Sequence, residues 1–354
     1  MQFNNTSGLP GACLVGSMSD LEQLAMVACK VTYRLTERGS LEPLAADQMW
    51  PVYGEPAIFN GVTLLPELEY RKQGVDILVF GQAVAPQGKP VTQMSLRVEC
   101  GAVNHHIEVF GNRAWKKSWG RFSISEPEPF AAVSINNDRA FGGKAIMAGE
   151  EVVHSVNPDG RGFCLSKDEV EGKPLPNLEL PGERISSWQQ NVTPACFYRP
   201  KGPLLDANGP GSLNELAASA DSMALPRALT TRMFNQTVPR LICPNGKLGK
   251  TLRLSGFDAI GDIVFPLPPE RAVPEQLGPT VHAAIGELRS RFPLFISTIV
   301  ALVSQRVLVV SYLGLFRYLF RPEELRSAEL RWYGDKPVPP VPERRQHPAT
   351  TSAP

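Results

Sequence analysis

The sequence predicts a mainly β protein: an antiparallel strand meander or sandwich, a long ordered loop system, a second β-rich half and few short helices. Glycine (30 residues) and proline (33 residues) are abundant in a chain of 354 residues, which favours turns and short strands over long helices. Several segments alternate apolar and polar residues with a period of two, as half-buried strands do. Residues 111–179 lack such a period but are rich in Gly, Asn, Pro and aromatic residues, a composition typical of ordered loops.

Charge and cysteine content exclude several classes of function. Lys plus Arg (36) nearly balance Asp plus Glu (35), so no global field attracts nucleic acid or an acidic membrane. The N-terminus lacks a basic segment followed by an apolar run, so no secretory signal is predicted. The six cysteines have no metal-ligand or redox spacing, and Cys29 and Cys100 lie in strand patterns where buried reduced thiols are common. We therefore expect a cytoplasmic protein without a cofactor or a metal site.

The N-terminal region carries the clearest strand patterns. The predicted strands are residues 12–18, 26–35, 75–85, 91–100 and 105–111. The last three are expected to form a meander, with the strand over 75–85 in a central position because it is apolar on both faces. His105 and His106 are adjacent in a strand and therefore point to opposite faces, the first towards the core and the second towards solvent.

The C-terminal region is also predicted to be rich in strands. Residues 252–254 and 260–265 are predicted strands, and residues 213–223 are a weak helix candidate. Residues 292–320 are the most apolar stretch, but Arg306 interrupts it near the middle. Because a membrane span needs about twenty uninterrupted apolar residues, this stretch favours a buried hairpin and no membrane span is predicted.

Composition divides the chain into three predicted regions. Residues 1–196 form an N-terminal β domain that contains the loop system. Residues 197–334 form a C-terminal β-rich region, with a core of its own or one shared with the first region. Residues 335–354 are rich in proline and poor in apolar residues, so they are predicted to be a disordered tail.

The loop system is built from short motifs. Its centre is residues 136–143 (NNDRAFGG), followed by residues 157–163 (NPDGRGF) and residues 174–179 (PLPNLE). Glycines supply backbone angles that other residues avoid, prolines fix φ, and Asn and Asp cap turns through their own side chains. A flexible linker would not carry so many aromatic residues, so we expect ordered loops on a β scaffold.

These three motifs, in this order, resemble the bacterial family known as domain of unknown function 2169. The similarity extends to Lys30-Val31-Thr32-Tyr33, to Lys72 with residues 76–83, and to Phe234-Asn235-Gln236-Thr237, so it covers roughly residues 20–320. The resemblance implies an adaptor, or chaperone, that loads a toxic effector onto the VgrG/PAAR spike of a type VI secretion system. Its partners would be that effector and the PAAR or VgrG spike proteins; the oligomeric state stays open.

The residues predicted to bind the partner or to organise the loops all lie in the loop system. They are Arg113, Trp115, Phe130, Asp138, Arg139, Phe141, Gly142, Gly143, Asn157, Pro158, Gly160, Gly162, Phe163, Pro176, Asn177 and Glu179. Asp138 and Arg139 are either an internal clamp on the loops or a recognition pair aimed at a partner. The phenylalanines are either plugs under the loops or anchors of an interface. Glu179 is expected to pair with Arg139 or Arg161, and spacing does not choose between them.

Two alternative functions are compatible with the sequence. A hydrolase-like enzyme would have its site within residues 136–179, at Asp138, Arg139, His154 and Glu179. A structural component of the secretion machinery would need no such site. No Gly-x-Ser-x-Gly elbow is present, and Pro244 stands where a phosphate-binding loop ending at Thr251 requires its first glycine. The absence of these motifs favours a protein that is not an enzyme.

Overall fold

The computed structural model describes residues 1–17, 21–68, 72, 74–199, 235–272 and 278–332. Within these residues the protein is mainly β and has no helix of seven residues or more, which confirms the predicted fold class. The helix candidate at 213–223, Phe234 and the tail at 335–354 lie outside the described residues.

The strands are short outside the large sheet. Before the loop system they are β1 (Gln2–Asn5), β2 (Gly11–Ser17), β3 (Glu22–Leu35), β4 (Leu41–Pro43), β5 (Ala57–Phe59), β6 (Val62–Leu64), β7 (Gly74–Phe80), β8 (Gln82–Val84), β9 (Gln93–Cys100) and β10 (Val103–Phe110). Within the loop system they are β11 (Trp115–Ser118), β12 (Arg121–Ile124), β13 (Ala132–Ser134), β14 (Phe141–Gly142), β15 (Lys144–Met147), β16 (Glu150–Val153), β17 (Arg161–Gly162) and β18 (Leu178–Glu179). After it they are β19 (Ile242–Pro244), β20 (Thr251–Ser255), β21 (Ile263–Pro266), β22 (Arg271–Ala272), β23 (Thr280–Ile285), β24 (Leu288–Leu302), β25 (Val307–Leu319) and β26 (Arg326–Arg331). Single 3₁₀ turns cover Ala46–Gln48, Pro86–Gly88, Asn137–Arg139, Lys167–Glu169, Pro239–Leu241 and Val303–Gln305.

One large, nearly closed mixed sheet forms the scaffold. Its strand order is β1-β26-β23-β24-β25-β3-β2, and β7 joins it parallel to β24. β24 and β25 are the hairpin predicted over residues 292–320, which is thereby confirmed. Arg306 closes its turn in the left-handed region, with φ of 53°. Because β3 and β7 lie beside β25 and β24, both halves of the chain contribute to this sheet. The division into domains at residue 196 stays a prediction.

The predicted meander over residues 75–111 is wrong in its first strand. β7 pairs with β24 and β19 in the large sheet and not with β9. β9 and β10 form the predicted hairpin, which β18 extends on one side and β20 and β21 on the other, giving a five-stranded sheet. All seven residues of β7 are buried. A strand that is apolar on both faces is stable only where other parts of the protein pack on both faces. Its position in the large sheet gives β7 this burial, whereas a meander with one face in water would not.

A buried ionic cluster joins residues 235–237 to β7. The carboxylate of Asp76 is fully buried and lies 2.8 Å from the Nζ of Lys72, which also donates to the Oγ1 of Thr298 at 2.6 Å. The same carboxylate accepts hydrogen bonds from Asn235 Nδ2 at 2.9 Å and from the backbone N–H of Gln236 at 3.0 Å. Two segments far apart in sequence, both part of the family resemblance, thus meet at one charged side chain.

His105 points into the core from β10, and His106 is exposed, as their adjacent positions predicted. The ring of His105 packs edge-on against Phe197, with 5.6 Å between ring centroids, and its Nε2 has no hydrogen-bond partner among the described residues. Burial, together with the nearby charge of Arg240, lowers the pKa of His105 to about 4. The imidazole is therefore neutral in the folded protein at pH 7.

We expect acid to destabilise the fold partly through His105. Its pKa is about 4 when folded, against an ordinary value of 6.5, so the unfolded chain takes up the proton first. The contribution of neutral His105 to the free energy of unfolding is fully present above pH 6.5 and is lost as the pH falls towards 4. The total loss is about 3 kcal/mol. His105→Phe should therefore lose less of its free energy of unfolding between pH 7 and pH 4.5 than the wild type, as measured by urea denaturation. The same pH dependence in both proteins would contradict this.

Candidate functional site

The loop system is attached to one edge of the five-stranded sheet. β18, at its end, pairs antiparallel with β10, and the backbone N–H of Phe110 donates to the carbonyl of Asn177 at 2.8 Å. Beyond this edge the loops have a core of their own. Its buried members are Trp115, Phe141, Cys164, Val170, Leu175, Ile185 and Val192. The loops are therefore ordered around buried side chains, as the sequence predicted.

Two consecutive glycines allow two chain segments to cross at the centre of the loop system. β14 runs parallel to β17 there, and Gly142 and Gly143 have φ of +139° and +92°. A Cβ on Gly142 would lie 2.1 Å from the carbonyl oxygen of Asn157, and one on Gly143 would lie 2.2 Å from that of Gly160. Both positions require glycine for space as well as for backbone conformation.

Asn157 holds this crossing together. Its side chain is fully buried, and its Nδ2 donates to the carbonyl oxygens of Asn137 at 2.8 Å and Phe141 at 2.9 Å. Its backbone N–H donates to the Nδ1 of His154 at 3.1 Å, and the Nε2 of His154 lies 3.0 Å from the Oδ1 of Asn191. These bonds satisfy backbone groups that no regular helix or sheet pairs.

Gly160, Gly162 and Pro176, three further predicted residues, lie against the same crossing. A Cβ on Gly160 would meet the Nδ2 of Asn157 at 2.6 Å, and one on Gly162, whose φ is +93°, would meet Pro176 at 3.0 Å. Pro158, next to Asn157 in the chain, is half-buried. The glycines and prolines of these motifs thus serve close packing between backbone segments.

Asn177 and two arginines link the three motifs. The Oδ1 of Asn177 lies 3.3 Å from the Nη1 of both Arg139 and Arg161. The Nε of Arg161 donates to the carbonyl of Asp138 at 2.7 Å, and its Nη2 to the Asp138 carboxylate at 3.1 Å. Arg139 lies farther from that carboxylate, at 3.5 Å, and its side chain is 35% exposed against 22% for Arg161. Arg161 is therefore the tighter clamp, although sequence analysis had singled out Arg139.

We expect Arg161→Ala to destabilise the protein more than Arg139→Ala. The first removes three hydrogen bonds from half-buried loops, at a cost of roughly 1–3 kcal/mol. The second removes one hydrogen bond, to Asn177, and a longer and more exposed ion pair with Asp138, together worth about 1 kcal/mol or less. Urea denaturation of the two variants measures the difference. An Arg139 variant that melts like the wild type but loses its partner would assign that side chain to recognition.

Glu179 pairs with Arg113 and not with Arg139 or Arg161, so the expected pairing was wrong. The Nη2 of Arg113 lies 2.6 Å from the Oε1 of Glu179 and 2.7 Å from the carbonyl oxygen of Pro176. Both charged side chains are almost completely buried, and this burial raises the pKa of Glu179 against the opposing effect of Arg113. The prediction failed because the distance along the chain does not show that β18 pairs with β10. This pairing places Glu179 beside Arg113, at the start of the loop system.

The predicted aromatic residues lie beneath the loops. Phe141 is 1% exposed and Trp115 2%, and both belong to the loop core. Phe163 packs against the same core, and its ring meets those of Phe141 and His154 edge to face. Phe130 packs instead against the main core of the protein. A partner that touches the loop system in this conformation therefore meets other side chains before Phe141 and Trp115, whereas Phe130 and Phe163 are half-buried and partly accessible.

Two hairpins of the loop system carry its most exposed apolar side chains, and neither hairpin tip was among the predicted site residues; Val156 (40%) and Leu165 (38%), outside the hairpins, are exposed to a smaller extent. The hairpin β15–β16 exposes Ile146 (44%), Met147 (55%) and Val153 (44%). Ile146 and Val153 are diagonal neighbours on one face, because Lys144 is paired with Val153. The hairpin β11–β12 exposes Trp119 completely. The available signal was Gly149, which suits the second position of a two-residue turn, between the apolar pairs Ile146-Met147 and Val152-Val153.

A cavity of about 400 Å³ lies beside the centre of the loop system. Its lining includes Asn137, Asp138 and Asp159 on one side and the hairpin β5–β6 on the other. Of the four residues in the enzyme hypothesis, Asp138 lines this cavity, whereas His154 and Glu179 are held by the partners described above. The four side chains do not converge on the cavity. Whether the chain is an enzyme stays a prediction that an assay must test.

Neither a metal centre nor a membrane helix is visible in the part of the chain that the structure describes. In these ranges no group of three or more His, Cys, Asp or Glu side chains is placed to hold a metal ion. The same ranges contain no helix that is long and apolar enough to cross a membrane.

The fold and this site define a mainly β protein in which a glycine-dependent loop system is packed on the edge of a second, smaller sheet. Residues 20–312 match the model of a family described as an uncharacterized protein conserved in bacteria (DUF2169). The chain belongs to this bacterial family. No curated protein matches the chain, and no solved structure matches it.

Proposed function

We propose that the protein is a non-enzymatic adaptor, or chaperone, for a type VI secretion effector. The effector would be PAAR-linked or associated with the spike, and the protein would assist its loading onto VgrG. The order of the three loop motifs, which resembles this adaptor family, supports the proposal. The observation that carries it structurally is a tightly packed loop system from which two hairpins present exposed apolar side chains.

The packing of the loop system favours a role in binding. The crossing at Gly142 and Gly143 and the buried amide of Asn157 fix the loops before any partner arrives. A preordered surface loses less conformational entropy on association, which strengthens binding. Exposed apolar side chains grouped on such a surface are typical of protein interaction sites, and Ile146 and Val153 lie together on one face of the hairpin β15–β16.

The mechanism would be non-covalent shielding. The adaptor would cover apolar surface of the effector until the effector is seated on the spike, where spike contacts replace those of the adaptor. No bond is made or broken in this process. The buried ion pair of Arg113 and Glu179 contributes by holding the end of the loop system to its start.

Co-expression with the effector encoded beside this gene, followed by size-exclusion chromatography, tests the binding step. We expect one complex with the wild type and weaker co-elution with Ile146→Asp/Val153→Asp, because charge on the exposed face of β15–β16 opposes apolar contact. Ile260→Asp is a matched control, since Ile260 is 96% exposed and lies outside the loop system. Deleting the gene should stop delivery of that effector while the secretion apparatus still fires.

Each alternative has its own outcome. Separate elution of the wild-type proteins in mild salt, together with normal delivery by the deletion strain, would refute the adaptor role. Failure of the whole apparatus to fire on deletion would favour a structural component. Turnover of a small substrate by this chain alone would favour the enzyme hypothesis.

A further inference from the structure

The turn of the hairpin β11–β12 carries a tryptophan that the fold does not explain. Trp119 and Gly120 both have positive φ, +51° and +76°, as the central residues of a tight two-residue hairpin turn do. Asn or Asp suits the first of these positions, and a bulky side chain is unfavourable there. The comparable turn of β5–β6 has Asn60-Gly61. Trp119 is also 100% exposed, so packing does not compensate for its backbone conformation.

Three cations lie within three residues of this tryptophan in the sequence. Lys116, Lys117 and Arg121 are all exposed, and none of them forms an ion pair with any residue that the structure describes. Residues 115–124 contain no acidic side chain. The formal net charge of the whole chain is only +1, so these three charges are a local concentration and not part of a general field. We call Lys116, Lys117, Trp119 and Arg121 the tryptophan tip.

The base of the same hairpin is firmly held. Trp115 is buried in the loop core, and Phe122 and Ile124 pack against that core. The backbone N–H of Trp115 donates to the carbonyl of Lys173 at 3.1 Å, and its carbonyl accepts from Gly172 at 2.8 Å. The tip therefore projects from a rigid support, which places its aromatic and cationic groups in a defined arrangement before binding.

We propose that the tryptophan tip is a docking site for a short acidic segment of a protein partner. Tryptophan is among the residues that contribute most to protein interfaces, and carboxylates would neutralise the three unpaired cations. Glu126 and Glu128, both exposed, follow directly after β12, so a long polyanion that continued along this segment would meet like charges. A short acidic segment confined to the tip avoids them. The identity of this partner with the secretion effector rests on the proposed function.

A titration of the intact protein with a short poly-L-glutamate of about six residues, which can be confined to the tip, tests the site at low salt without the effector. We expect quenching or a shift of tryptophan fluorescence that is absent from Trp119→Phe. Lys116→Glu/Lys117→Glu should weaken binding at least tenfold. Lys247→Glu/Lys250→Glu is the matched control, since these two exposed lysines change the net charge equally in a turn away from the tip, and it should change binding less than twofold.

Trp119→Asn separates the role in binding from that in folding. Asparagine suits the backbone of this turn, so the variant should melt at the same temperature as the wild type or higher, yet bind poly-L-glutamate at least tenfold more weakly. Binding equal to that of the wild type would overturn the anchor role of Trp119. Equal weakening by both lysine pairs would overturn the site, as would tighter binding at the tip of poly-uridine RNA or of vesicles with anionic lipid.

The effector experiment then distinguishes this inference from the adaptor role. If the wild type forms the effector complex and Lys116→Glu/Lys117→Glu forms it equally well, the docking inference fails while the adaptor role stands. If the wild type binds poly-L-glutamate at the tip but no effector, the adaptor role fails while the acidic docking site stands.

Discussion

Asp76→Ala should lower the free energy of unfolding by about 3–5 kcal/mol, which is the usual cost of leaving a buried charge without its partner. The substitution leaves the buried ammonium of Lys72 without a counter-charge, with the hydroxyl of Thr298 as its remaining partner. It also removes the acceptor of the hydrogen bonds from residues 235–237. The midpoint of urea unfolding measures the loss. Because the cluster joins β7, β24 and the chain around Asn235, we expect the transition to stay cooperative but to move to much lower denaturant.

Two variants make this result specific. Asp47→Ala removes an exposed carboxylate from a surface turn and should change stability by less than about 0.5 kcal/mol. Adding Lys72→Met to Asp76→Ala should restore part of the loss, because it removes the unpaired cation. A loss below about 1 kcal/mol for Asp76→Ala alone would show that water solvates this cluster.

The sequence identified both segments of this cluster without showing that they meet. Lys72 with Asp76 and Asn235 with its neighbours were parts of the family resemblance, yet a pattern along the chain carries no information about contacts between distant segments. The same limit explains the error at β7. Its two apolar faces correctly predicted a central strand, but whether it lies beside β9 or β24 depends on which sheet covers it.

Local patterns predicted the long strands well. β3 and the hairpin β24–β25 have strong periodicity or long β-branched runs, and Arg306 marked the turn between them. The loop system was predicted as an ordered unit for two reasons. Its glycines and asparagines suit turns in irregular backbone, and a flexible linker would not carry so many aromatic residues. Its surface was not predicted, because β11, β12, β15 and β16 are four residues each and are too short for a clear period.

The burial of Phe141 shows why residue type alone misleads about interfaces. An aromatic residue between glycines suits a binding anchor and a loop plug equally, and only the packing of Phe141 against the loop core distinguishes them. Trp119 is the opposite case. The sequence counts it among the aromatic residues of the ordered loops but not among the predicted site residues, and its exposure and backbone conformation make it the more informative aromatic residue.

Gly142→Ala should disrupt the loop system and lower the free energy of unfolding by about 2–5 kcal/mol. The added Cβ would lie 2.1 Å from the carbonyl oxygen of Asn157, far inside contact distance, and φ at this position is +139°. Strain in the backbone and overpacking each cost about 1–3 kcal/mol. Because the clash is with backbone, relief requires the backbone at Asn157 to move away from β14, which would also weaken the hydrogen bond from the Asn157 amide to the carbonyl of Phe141. Urea denaturation measures the total, and effector co-elution measures whether the ordered loops are needed for binding.

Gly149→Ala is the matched control for this substitution. Its φ is +87°, but a Cβ there would meet nothing within 4 Å, so it isolates the cost of the left-handed backbone at about 1 kcal/mol. The difference between the two variants therefore measures the close approach at the crossing. If Gly142→Ala costs no more than Gly149→Ala, the crossing can relax freely and the loops are not the rigid support that the adaptor role requires. If it costs more and effector binding persists, the partner binds outside the loop system.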